Sequence, residues 1–319
     1  MSVTFAALVG VASGQPTAKP TVGPAAPAPA AVAVASVNGH MITAADVERQ
    51  VERVVRGRDV TAAARTRLLE TAREQLISRQ LILAYLHQHQ AAPSKDDIDV
   101  ELTRISKRLT LEEKTLDDYL KASRLDERQL RELLRWQLGW QWYLDRYLTD
   151  ENLSRYYEQH RLEHDGSELR VAHILFKADP ADGAAMSAAV ERATAVRGEI
   201  ESGKLTFSAA AKRHSDSPQA DQGGELGWIT RRAPMPEVFS RAAYQLQVSQ
   251  VSPPVSTAFG VHLIQCLEIK AGKKRWQDVR PELESAVTAH LFSWVADQQR
   301  SKAKIERMPF PSVPAPIAQ

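Results

Sequence analysis

Cysteine is almost absent from this 319-residue chain: Cys266 stands alone. A single thiol excludes an internal disulfide, so cysteine usage carries no information on the redox compartment. Cys266 lies in the strand-like run from His262 to Ile269 and reads as a small buried hydrophobe rather than a reactive group. A Lys/Arg block with interleaved aromatics is also missing. The formal net charge is +2, and the basic residues of 127–148 alternate with acids as on a solvated helix face, so no nucleic-acid partner is expected. Metal-ligand sets are thin. His87-x-His89 and the pair His160/His164 have spacings seen in metal sites, but no cysteine or third ligand stands near, and surface histidines are the expected reading. Long hydrophobic runs are lacking too; the apolar stretch 3–13 is too short to span a bilayer.

That stretch is small-residue and apolar and ends in Ala12-Ser13-Gly14, like the core and cleavage site of a secretory signal without its basic start. Residues 1–14 are therefore expected to be a degenerate signal segment, and 15–33, rich in Pro and Ala, an extended linker. The remainder is long enough for two cores.

Val34 to Ile42 reads as two short strands around Asn38-Gly39, a turn pair that tolerates positive φ. Thr43-x-x-Asp46 then caps a helix. Leu68, Leu69, Ala72, Leu76, Leu83 and Leu86 share one helical face, Pro93 ends that pattern, Ser94-x-x-Asp97 caps the next helix, and Asp126-x-x-Gln129 caps a longer one. That longer helix carries Trp136, Trp140, Tyr143 and Tyr147 on one face, read either as core or as an aromatic groove; Trp142 falls off the face and is the better candidate for an exposed contact.

After His164-Asp165-Gly166-Ser167 the pattern changes. Leu169 to Phe176 and Gly260 to Ile269 read as strands enclosing helices over Ala184–Ser202, Phe207–Arg213 and Pro236–Leu246. This order implies an α+β fold with a small antiparallel sheet flanked by helices. A last amphipathic helix, Trp276 to Ile305, needs an acceptor for Val279, Leu283, Val287, Leu291, Trp294 and Val295, which the helical N-terminal region would supply. The expected organisation is a helical domain over 34–165, an α+β domain over 166–271, a returning helix over 272–307 and a Pro-rich tail over 308–319.

Four motifs stand in order within the α+β domain: Ala172-His173-Ile174-Leu175; Gln222-Gly223-Gly224-Glu225-Leu226-Gly227-Trp228; Met235 with Phe239 four residues later; and Phe259-Gly260-Val261-His262-Leu263-Ile264. On these motifs the segment 168–270 resembles the parvulin family of peptidyl-prolyl cis/trans isomerases. The hairpin, the helices after it and the terminal helix look more loosely like the chaperone core of SurA- and PrsA-type exported foldases. The resemblance implies a proline pocket built by Leu226, Met235 and Phe239, and a hydrogen-bond network of His173, His262 and Thr257. The two histidines would equally serve as satisfied core polars that hold the sheet together. Trp228 is expected to pack beneath the Gly-Gly turn.

Many parvulins carry a Cys or Asp ahead of that turn. Asp216 or Ser217 can occupy the position, and Asp216 is favoured for its negative potential. Lys177 stands alone after the first histidine, followed by Asp179 and Asp182, so a phosphate would find no arginine fork. The expected activity is noncovalent prolyl isomerisation without metal or organic cofactor. The expected partners are unfolded or partly folded exported proteins with X-Pro segments, in the periplasm or cell envelope. The rival is a holdase whose parvulin domain binds peptides without turnover.

Overall fold

The computed structural model describes residues 32–311; the signal-like segment, nearly all of the linker and most of the Pro-rich tail lie outside the described residues. Strands β1 (Ala33–Val37) and β2 (His40–Thr43) form the hairpin, with Asn38 and Gly39 both at positive φ. Helix α1 (Ala44–Val55) starts at a reciprocal Thr43/Asp46 capping box. There follow α2 (Ala62–Gln88), α3 (Lys95–Leu111), α4 (Leu116–Ser123) and α5 (Glu127–Tyr147), the last three opened by the boxes Ser94/Asp97, Thr115/Asp118 and Asp126/Gln129. Two short helices, α6 (Asp150–Gln159) and α7 (Arg161–His164), lead into β3 (Glu168–Lys177). The chain continues through α8 (Gly183–Glu201), α9 (Phe207–His214), β4 (Glu225–Thr230), α10 (Glu237–Ala243), β5 (Val255–Thr257) and β6 (Gly260–Lys270). It ends in α11 (Arg280–Arg300) and β7 (Ile305–Arg307).

The described residues divide into two compact units, one up to Ile77 together with those from Lys304 onward, the other Ser78–Ala303. In the first unit the sheet order is β2-β1-β7, all antiparallel, with Ala35 opposite Arg307 and Val37 opposite Ile305. Arg307 also forks onto Glu74 at 2.7 and 3.0 Å. The expected helix through Ile305 is corrected here: α11 stops at Arg300. A three-residue strand has too little alternation to show in the sequence; the free edge of β1 creates it.

In the second unit, α3 and α5 pack Ile98, Leu102, Ile105, Leu109, Leu130 and Leu134 together. Gly139 in mid-α5 has a packing reason: a Cβ there would stand 3.0 Å from Pro93 Cδ and 3.2 Å from Leu86, which offsets the roughly 1 kcal/mol that glycine costs inside a helix. Trp136, Trp140, Tyr143 and Tyr147 form a ladder with successive ring centroids 5.7, 5.5 and 4.6 Å apart. Trp142 is off the ladder and exposed. The terminal helix does return to the helical region. Phe292 on α11 sets its ring edge-on to Trp136 and Trp140, and Gln299 donates to Gln88 at 3.1 Å. Leu283 and Val287 of α11 bury against Leu153 and Tyr157 of α6. Trp294, expected in that seam, is exposed instead.

The larger sheet has the order β4-β3-β6-β5, all antiparallel. Side chains alternate across it. Ala172, Ile174, Phe176, Val261 and Leu263 face one way and close against α8 and α9. Leu169, Val171, Ile264 and Cys266 face the other way, with Phe239 and Ala243 of α10. Val255–Thr257 completes the sheet as an edge strand.

Candidate active site

His173 and His262 lie on neighbouring central strands, and the register pairs His173 with Ile264 and Leu175 with His262. A two-residue offset on one face leaves the imidazoles side by side, with centroids 5.3 Å apart and planes at 24°. Their Nδ1 atoms share a hydrogen bond of 3.1 Å. His262 Nε2 meets Thr257 Oγ1 at 2.9 Å, and His173 Nε2 meets Ser217 Oγ at 2.8 Å. Ser217 Oγ in turn donates to Gln219 Oε1 at 2.6 Å. Phe239, fully buried, presents its ring edge-to-face to both imidazoles at 6.0 and 5.5 Å. Burial disfavours the charged ring, and each histidine is held down to about 4; for His262 the neighbouring His173 adds a smaller push in the same direction. Both are neutral at physiological pH.

The glycine turn positions this pair. Gly224 has φ +79°, and a Cβ there would strike the carbonyl oxygen of His173. Its own carbonyl accepts from His173 N at 2.8 Å. Only glycine lets the backbone approach the first histidine so closely.

Beyond Gly224 the strand β4 has diverged, yet the N–H groups of β3 on that side remain satisfied. Leu175 N donates to Ser215 Oγ at 3.0 Å, and Lys177 N to Asp216 Oδ2 at 2.9 Å, while Asp216 N donates to Leu175 O at 2.7 Å. The preference for Asp216 ahead of the turn is thereby corrected. Its carboxylate is exposed and engaged in closing the strand end, whereas Ser217 is buried against His173. Backbone hydrogen bonds left open by the departure of β4 recruit the aspartate, and the next residue, on the opposite side of an extended segment, is directed inward.

A cleft of about 660 Å³ opens over these groups. It is lined by His173, His262 and Thr257, by Leu226, Met235 and Phe239, and by Ser217, so these seven expected residues share one cavity and Asp216 lies outside its lining. Met235 and Leu226 are half-buried against the core that Phe239 completes. Lys177 and Asp179 stand at the rim, one charge of each sign. Trp228 is not beneath the turn. It is exposed on β4, near Glu168 and Lys270 on the outer side of the sheet, because the alternation of β4 and the kink at Gly227, φ +80°, turn it outward.

Gln219 and Phe259 are among the lining residues that sequence reasoning missed. Gln219, at the end of the hydrogen-bonded row, was signalled only by its place two residues beyond Ser217. Phe259, an exposed aromatic at the β5–β6 turn, stood inside a motif quoted for its neighbours. Among the described residues no group of three or more metal-ligating side chains comes together.

The PPIC-type PPIASE (rotamase) family matches residues 173–268, and the SurA-like N-terminal domain family matches residues 1–144. The chain is similar to the chaperone SurA of Polaromonas sp., 36% identical over 114 residues, covering 36% of this chain and 24% of that protein. It is similar to the foldase protein PrsA of Bacillus subtilis, 29% identical over 158 residues, covering 50% of this chain and 47% of that protein. A crystal structure of PrsA from Bacillus anthracis aligns with 72% of this chain and 95% of its own, at 20% identity and a TM-score of 0.34. The chain thus spans about a quarter to a half of the length of the two curated relatives.

Proposed function

We propose that this chain, which combines a parvulin-type PpiC rotamase domain with a SurA-like N-terminal domain, is a peptidyl-prolyl cis/trans isomerase and chaperone that assists the folding of exported proteins. One observation carries the reading: a neutral His173–His262 pair, hydrogen-bonded through to Thr257 and Ser217, forms the floor of an apolar cleft beside Phe239 and Met235.

Isomerisation breaks no bond. It needs only a lower barrier to rotation about an amide whose resonance sets it at about 18–20 kcal/mol. A thousandfold acceleration requires about 4 kcal/mol of preference for the twisted form. The planar amide is charge-separated, so an apolar cavity disfavours it relative to the twisted amide. Leu226, Met235 and Phe239 grip the proline ring. The histidine pair keeps the floor hydrogen-bonded and free of positive charge, so that no buried imidazolium stabilises the negative carbonyl oxygen of the planar dipole. The polypeptide on either side of the proline runs past Lys177 and Asp179, which offer no paired cations to a phosphate.

A protease-coupled assay on a short X-Pro peptide tests this. Acceleration at micromolar protein, lost in Met235→Ala, is expected; no acceleration sinks the enzyme reading. Ser217 favours the second reading, a holdase with a proline-binding module, because a hydroxyl supplies less negative potential than a carboxylate or thiolate. Under that reading Met235→Ala leaves suppression of client aggregation intact while turnover is absent throughout. Export to the periplasm or cell envelope, and clients that are unfolded exported proteins with X-Pro segments, belong to the proposal.

A further inference from the structure

We infer that Gln219 is a positioning residue that fixes the direction of the hydrogen-bonded row in the cleft and thereby the tautomer of both histidines, an inference that rests on the isomerase reading of the site. The row runs Thr257–His262–His173–Ser217–Gln219, with steps of 2.9, 3.1, 2.8 and 2.6 Å. Every imidazole nitrogen in it faces one partner. A neutral imidazole has one N–H and one bare nitrogen, so one proton position dictates all the others and two arrangements exist.

In the first, Ser217 gives its proton to Gln219 Oε1. His173 then carries its proton on Nε2 and donates to Ser217, His262 carries its proton on Nδ1 and donates to His173, and Thr257 donates to His262 Nε2. In the second, every donor is reversed. Ser217 donates to His173 Nε2, the amide nitrogen of Gln219 donates to Ser217, and Thr257 sends its hydroxyl to the Gly260 carbonyl.

The two ends of the row decide between them. Hydroxyl-to-oxygen bonds fall at about 2.5–3.0 Å and amide N–H-to-oxygen bonds at about 2.7–3.2 Å. The Ser217–Gln219 separation of 2.6 Å fits a hydroxyl donor and is short for an amide one. The Thr257–Gly260 separation of 3.3 Å, the bond within the protein that the second arrangement leaves to the Thr257 hydroxyl, is long for a hydroxyl donor. The remaining acceptor capacity is used identically in both cases: Gln219 N donates to Ser217 Oγ at 3.3 Å and Phe259 N to Thr257 Oγ1 at 3.1 Å. The first arrangement therefore holds, and the acceptor that anchors it is Gln219 Oε1. Both imidazoles have all nitrogens engaged within the row, so neither acts as a base toward the substrate.

Long-range proton–nitrogen correlation spectra of the ¹⁵N-labelled full chain at pH 7.5 test this, since protonated and bare imidazole nitrogens resonate in separate ranges. Expected for the unaltered protein are a protonated Nε2 on His173 and a protonated Nδ1 on His262. Gln219→Leu removes the acceptor and should reverse both tautomers, with kcat/KM falling roughly tenfold for the loss of an oriented hydrogen bond. Gln219→Glu, whose carboxylate only accepts, should keep the original tautomers. A protonated Nδ1 on His173 in the unaltered protein, or unchanged tautomers in folded Gln219→Leu, overturns the inference. Should Gln219→Leu not fold, the unaltered protein and Gln219→Glu decide by the same criterion. Expected tautomers without any turnover would uphold Gln219 as the lock and overturn the isomerase reading instead.

Discussion

The two faces of the β3–β6 pair differ as much as any two regions of this molecule. Residues one apart in sequence serve opposite ends. Ile174, Phe176, Val261 and Leu263 are fully buried beneath α8 and α9, while His173, Leu175 and His262 line an open cleft. Strand alternation makes the separation possible, because a register fixed by the apolar face places the other face without further cost. The lesson is that the cleft can hold two desolvated imidazoles because the opposite face supplies the stability.

The contrast can be broken from either side. The largest expected effect is on the closed face. Phe176→Ala should cost about 3–5 kcal/mol of stability, by loss of burial plus the cavity left behind, and the denaturation midpoint should fall steeply.

Acid should act on the open face. Each histidine is held down to about 4 in the folded protein, below its ordinary unfolded value of about 6.5. Between these two values the unfolded chain binds more protons, so stability rises with pH there. The contribution of the pair is full above about pH 6.5 and is lost toward pH 4, by up to about 1.4 kcal/mol per pH unit for each group. Denaturant midpoints at pH 7.5 and 5 should show this drop, and His262→Asn should make it smaller.

Met235→Ala should lower kcat/KM on an X-Pro peptide by about 10- to 100-fold through lost packing on the proline ring, with a much smaller effect on stability than Phe176→Ala because Met235 is only half-buried. Ser217→Asp should raise kcat/KM by a few-fold, since a carboxylate accepts more strongly than a hydroxyl from His173 Nε2, and should shift the acid limb of the pH profile upward by favouring a charged His173. The smallest effect concerns the rim. With Lys177 the one cation among the described residues lining the cleft, phosphorylated and unphosphorylated Ser-Pro peptides should turn over within about twofold of each other. A much faster phosphorylated peptide would remove the distinction drawn at the rim.

Much of this was legible beforehand for local reasons. The capping boxes at Thr43, Ser94 and Asp126, the Asn38-Gly39 turn and the alternation through His173 and His262 are each encoded within a few residues. Leu226, Met235 and Phe239 were recognisable by their places in the motifs, Thr257 only through the resemblance, and the four meet in one cavity. The choice between Asp216 and Ser217 was not legible. It depends on where β4 leaves β3, and so on which N–H groups of β3 need a partner. Trp228 and Trp294 were misread because an apolar residue in a periodic pattern does not reveal whether anything covers it.

The sequence by itself therefore determined the capped helices, the hairpin and the two central strands, and singled out seven of the residues that line the cleft, because propensity, capping and period are short-range. Only the tertiary structure decided that Ser217 faces His173 while Asp216 faces away, that Gln219 ends the row, and that Ile305–Arg307 becomes a strand on β1. Each of these answers a long-range demand, an unpaired backbone group or an unshared proton, that exists only after the strands have met.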